Sequence, residues 1–204
     1  MTPLNIAMLT TFYPPYNFGG DGIGIRRLAT ALADRGHNIT VIHDIDAYVT
    51  QAGREPAPIE MDPRIGVVGL KTKFGLLSNL LVHQLGRPVA HAAQLRDMLA
   101  PGKFDVIWYH NSSLVGGPGL FALGDPCAVR IYEAHEHWLI CPTHVLWKEN
   151  RELCEDRACL RCQISYKRPP QLGRGTDTIN REAARVDAFI AKSRFSRDKH
   201  RAFG

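Results

Sequence analysis

Residues 4–43, LNIAMLTTFYPPYNFGGDGIGIRRLATALADRGHNITVIH, decide the fold. LNIAMLT, residues 4–10, is a short, mostly apolar run and predicts a strand buried on both faces of a parallel sheet. A loop rich in Pro and Gly follows, FYPPYNFGGDG at 12–22. Ile23, Arg27, Leu28, Ala31 and Leu32 then recur at helical spacing, and Arg35-Gly36 supplies a basic last turn and a glycine stop. NITVIH, residues 38–43, is β-branched and predicts a second strand. A strand, a helix and a second strand in this order form one unit of a parallel sheet.

The same alternation continues along the chain. Residues 65–70 (IGVVGL), 104–109 (FDVIWY), 127–132 (CAVRIY) and 188–191 (AFIA) predict four more strands. Helices are expected over 74–100, broken at Gly86–Pro88, over 176–185 and over 193–203, with a glycine-interrupted helical stretch at 112–124. Residues 45–63, with three prolines, read as a loop, and 137–172 as an irregular excursion rich in Cys and Pro. The expected architecture is α/β: an open, mostly parallel sheet with helices on both faces. Ligands bind such sheets at the carboxyl ends of the strands, so the loops 11–22, 110–117 and 133–144 are the candidate site.

Composition bounds the rest. The chain has 204 residues, 45% hydrophobic and 22% charged, which is ordinary globular usage and excludes disorder, collagen and coiled coil for the whole. No apolar run approaches the roughly 20 residues of a membrane span. The N-terminus lacks a basic segment followed by an apolar one, so a cytoplasmic protein is expected. The net charge of +5 is uneven: residues 1–147 carry net −1 and residues 148–204 net +6. The basic segment reads as a solvated face, or as one attracted to an anionic partner.

In the first loop, Gly19, Gly20 and Asp21 sit between a strand and a helix, where bare amides favour an anion. The run Gly20-Asp21-Gly22 opens like a dinucleotide fingerprint, but its next required glycine is Ile25. A glycine turn for tight packing is the alternative. His110 ends the predicted fourth strand. The fifth runs into Tyr132-Glu133-Ala134-His135-Glu136-His137, placing His135 among carboxylates where it could position a substrate group. Cys141, Cys154, Cys159 and Cys162 follow the pattern C-x12-C-x4-C-x2-C, and the final C-x2-C suits half of a structural zinc site. Buried free thiols and a redox role are the alternatives. Cys127, on a predicted strand, reads as a small buried hydrophobe. Phe74, Leu76, Leu77, Leu80, Leu81 and Leu85 beside Lys71 and Lys73 form either a core-facing stripe or a peripheral membrane contact.

Taken in order, Phe12-Tyr13-Pro14-Pro15, Gly19-Gly20, the run from Leu32 to Val41 (LADRGHNITV), Phe104-Asp105-Val106-Ile107, His135-Glu136, and Ala188 to Phe195 (AFIAKSRF) resemble the N-terminal domain of retaining glycosyltransferases of family 4. His135-x2-Trp138-x2-Cys141-Pro142 resembles a cysteine-bearing branch of that family. The resemblance covers essentially the whole chain. It implies a Rossmann-like domain, one half of a GT-B fold, that binds the sugar acceptor, a glycan, lipid-linked sugar or small molecule. A second domain, which would follow Gly204, would bind a nucleotide-sugar, so this chain alone is expected to be half of an enzyme. The implied reaction transfers a sugar with retention of configuration and without a catalytic metal. His135 would lie beside the transferred sugar. Gly19, Gly20, Asp21, His110 and Glu136 would line the donor and acceptor positions, on one cleft despite their separation in sequence.

Two other classes remain open at this stage. One is a binding module without turnover. The other is a zinc-knuckle nucleic-acid binder, but aromatic residues among the basic ones are few, namely Trp147 and Tyr166, so no nucleic acid is expected.

Overall fold

The computed structural model describes residues 2–203. Six parallel strands form one open sheet: β1 (Asn5–Thr10), β2 (Asn38–Asp44), β3 (Ile65–Leu70), β4 (Val106–Tyr109), β5 (Val129–Ala134) and, late in the chain, Ala188–Ala191. Between the fifth and last sheet strands lie two short ones, β6 (Trp147–Lys148) and β7 (Glu152–Leu153), so the sixth sheet strand is β8. The sheet order is β3-β2-β1-β4-β5-β8, the doubly wound order of a Rossmann-like domain. Strand order reverses between β1 and β4, which makes the crevice beyond their carboxyl ends the natural binding position.

β1 is central, and its alternation divides the interior in two. Ile6 and Met8 face a cluster with Ile25 and Ala29 of helix α1 (Gly20–Ala33), Ile39 and Val41. Ala7 and Leu9 face the opposite cluster, with Leu95, Leu99, Leu120, Phe121, Tyr132 and Trp138. Each fully buried side chain of this size contributes about 1.5–3 kcal/mol of transfer free energy, so neither face can be left uncovered.

The segment 45–63 is not all loop: α2 spans Ile45–Ala52. Its signals were local. The Asp44 carboxylate accepts from the Ala47 amide at 2.9 Å, and Gly53 stops the helix in the left-handed conformation. Helices α3 (Gly75–Leu85) and α4 (Ala92–Met98) flank the expected break. β5 begins after Cys127, which is exposed and outside the strand; its amide is taken by the Asp125 carboxylate at 2.8 Å, a turn that sets the strand two residues later.

The excursion 137–172 is more ordered than its composition implies. β6 and β7 form a hairpin turned by Glu149 and Asn150, both at positive φ, and α5 spans Cys159–Ser165. Arg174 pins its start, donating to the Leu139 carbonyl at 3.2 Å and to that of Trp138, with its guanidinium over the Trp138 ring. The chain closes with α6 (Thr178–Ala183), β8 and α7 (Arg194–Phe203). Among the described residues no helix is long and apolar enough to cross a membrane.

Asp44 is fully buried, and one of its oxygens has no partner. Burial pushes its pKa from 3.8 to about 7. The folded chain therefore holds this proton more tightly than the unfolded chain, and stability from this group is lost as pH rises through 7. Asp44→Asn keeps a helix-capping side chain without the charge. At pH 8 it is expected to exceed the parent stability by about 2–4 kcal/mol, with the gain vanishing near pH 4. Urea denaturation of both proteins at the two pH values measures this; an equal difference at both would refute the assignment.

Candidate active site at the strand-order reversal

The loops after β1 and β4 are laced together. The Thr11 amide and hydroxyl both donate to the Asn111 carbonyl, at 2.6 and 2.9 Å, and the Thr11 hydroxyl accepts from the Leu114 amide at 3.2 Å. This fixes the glycine loop relative to the end of β4.

Within the glycine loop the four glycines have different reasons. A Cβ on Gly22 would stand 2.3 Å from the Asn17 amide oxygen, so Gly22 is the position that packing requires. A Cβ on Gly20 or Gly24 would meet nothing within 4 Å, and one on Gly19 only the Asp21 carboxylate at 3.8 Å. Gly19 and Gly20 are exposed backbone at the N-terminus of a 14-residue helix, without a side-chain cap. Packing thus explains Gly22 and leaves Gly19 and Gly20 open to a ligand. The Asp21 carboxylate accepts from the Gly22 amide at 2.8 Å.

His110, at the end of β4, and His135, just past β5, share a hydrogen bond of 3.0 Å between Nδ1 and Nε2. Burial holds the His110 pKa well below 6.5. Burial, then the Lys192 ammonium, lowers that of His135, while Glu133, Asp21 and Glu136 pull it upward. Both rings are therefore neutral near pH 7, and one donates to the other.

Glu133 lies 3.5 Å from His110 and 3.6 Å from His135, beyond good hydrogen-bond range. Its charge is matched instead by Lys192 at 3.1 Å. The donor atoms of His110, Glu133 and His135 lie within 4.8 Å of one another and could hold a divalent cation; Lys192 already supplies positive charge at that carboxylate. Glu136 turns away from this pair and accepts from His144 at 2.5 Å, joining the site to the excursion. The four clustered cysteines line a separate cavity.

Glu133 and Lys192 escaped notice as site residues in the sequence. The signal for Glu133 was a carboxylate beside the carboxyl end of a predicted strand, two residues before His135. Lys192 had none, since only the pairing of β5 with β8 brings it there.

A family model described as Glycosyltransferase Family 4 matches residues 18–204. Over 203 residues the chain is 25% identical to an uncharacterized 42.6 kDa protein in the cps region of Klebsiella pneumoniae, covering 97% of this chain and 51% of that relative. The chain therefore spans about half the length of the curated relative it matches.

The electrostatics make a signed prediction for the His135 imidazole, followed by NMR titration. Lys192→Met raises its pKa toward 6.5, and Glu133→Gln lowers it further. Shifts in the opposite directions would show that other charges control the ring.

Proposed function

Because the chain belongs to glycosyltransferase family 4, we propose that it is the acceptor-binding half of an enzyme that transfers a sugar from a nucleotide-sugar with retention of configuration. The observations that carry this reading are a bare glycine loop after β1 and a hydrogen-bonded histidine pair after β4 and β5, all on loops leaving the carboxyl ends of one parallel sheet. The uncapped amides at the start of α1 suit the charge that develops on a leaving diphosphate, so protein dipoles take the part a catalytic metal would otherwise play. His135 contacts the transferred sugar, with His110 setting its orientation. Asp21 and Glu136 contribute to the rim of the donor and acceptor positions.

A donor-binding domain has a surface to meet. The edge strand β8 exposes Phe189 and Ile190, and Phe195 of α7 is exposed beside them. A groove of about 790 Å³ runs there, lined by Phe189, Ile190, Arg194 and Arg197. Apolar edges of this kind are normally covered.

The acceptor side suggests a lipid surface. Helix α3 buries Ser78, Asn79 and Val82 and exposes Leu76, Leu77, Leu80 and Leu85, with Phe74 exposed just before it. Its apolar stripe faces outward, beside Lys73 and the Lys71–Glu55 pair. The core-facing alternative is therefore incorrect for these residues; Leu81 alone of the six is half-buried. An outward leucine stripe with flanking lysines fits peripheral binding to an anionic bilayer carrying a lipid-linked acceptor.

Two paired experiments test the reading. In the protein complete with its donor-binding half, His135→Ala is expected to lower transfer about 100-fold or more, with the product anomer matching the donor. Gly20→Ala lowers transfer while the melting temperature holds, since no protein atom opposes its Cβ; Gly22→Ala lowers the melting temperature. Unaltered transfer in both Gly20→Ala and His135→Ala, or an inverted anomer, would overturn the mechanism. For the membrane contact, sedimentation with phosphatidylglycerol vesicles is expected to weaken about tenfold in a Leu76→Ser, Leu77→Ser, Leu80→Ser protein. Equal binding by parent and variant would remove the bilayer from the account.

A further inference from the structure

We propose that Cys141, Cys154, Cys159 and Cys162 bind a structural zinc ion that locks the excursion 137–172 onto the domain. Their placement carries the idea. Cys141 precedes the β6–β7 hairpin, Cys154 directly follows it, and Cys159 and Cys162 lie three apart on the first turn of α5, on one helix face. Residues up to 21 apart in sequence thus line the same cavity. That cavity measures about 10 Å³, the room of a single water or ion and too little for an organic ligand.

The surroundings match the charge of the complex. Zinc with four thiolates carries two negative charges, and Lys148 and Arg157 line the cavity. Binding forms four Zn–S bonds, and the four displaced protons pass to solvent.

Trp138, Leu139 and Arg174 tie the start of the segment to the main core, but the remainder has little apolar packing of its own. Its own apolar cluster is Ile140, Cys141 and Leu146, with Cys154 and Phe203 packed against it. His144, Leu146, Glu149, Asn150 and Lys167 all hold positive φ without being glycine. Each such residue costs on the order of 1–3 kcal/mol and persists only where surrounding structure enforces it. So small a cluster is a weak enforcer, and a metal centre is a strong one. Among the described residues, His110, Glu133 and His135, and separately Asp44, Asp46 and His91, have donor atoms within 4.8 Å of one another. The thiols are not drawn together to that degree, so zinc must pull them inward to Zn–S bonds of about 2.3 Å.

The test is metal analysis of the chain expressed with zinc supplied and purified under reducing conditions. About one zinc per chain is expected, falling to near none in Cys159→Ser and in Cys162→Ser, while Cys127→Ser, whose thiol is exposed and outside the cavity, keeps it. Chelation is expected to lower the melting temperature by about 10 °C. Should the serine variants fail to fold, cobalt exchanged into the parent protein gives the absorption of a tetrahedral thiolate centre, which needs no variant. A folded parent with less than about 0.1 zinc per chain, or a Cys159→Ser protein that keeps its zinc, overturns the proposal. Neither readout depends on sugar transfer.

Discussion

Every other element depends on β1 pairing in parallel on both sides, with β2 along Asn5–Thr10 and with β4 along Ile6–Leu9. A strand flanked in this way has no solvent face, so from Ile6 onward its residues are all buried. Parallel neighbours require crossover connections, and α1, the first of these, must cover one face. The same geometry sends the β1 and β4 loops to one sheet edge, where the Thr11–Asn111 hydrogen bonds join them. The position of the site is thus a consequence of how the core is covered.

At that edge burial and charge act against each other. Desolvation lowers the pKa values of His110 and His135, while Glu133 pairs with Lys192 from the end of β8. A neutral imidazole can both donate and accept, which suits a hydroxyl-bearing ligand, while the glycine amides suit an anion. The histidine pair and the glycine loop offer different chemistry because one is built from side chains and the other from bare backbone.

Away from the cleft, two surfaces depart from what a self-contained domain needs. α3 buries Ser78, Asn79 and Val82 yet shows four leucines, and β8 leaves an apolar edge open. Both lie on the periphery of the sheet, where contacts to other bodies cost the core nothing. The excursion is the opposite case: it packs onto the domain through Arg174, Trp138 and Phe203, yet its interior holds few apolar side chains.

Much of this was legible from local chemistry. The six sheet strands and α1 were expected from short apolar runs broken by glycine and proline, and burial on both faces demands that composition of the central strand β1. Where local signals were misread, as for α2, the capping aspartate and the glycine stop were present in the sequence. The hairpin at Glu149 and Asn150 had no glycine to announce it, so its turn was hidden. The candidate residues His110, His135, Gly19, Gly20 and Asp21 were readable because loops at strand ends are short and their residues few. What only the tertiary structure decided was which glycines stand in open space and which face Asn17, which side of α3 is covered, and that Glu133 is met by Lys192. Those depend on side chains brought together from distant segments, and their distances are set by strand order and helix packing, which no local pattern encodes.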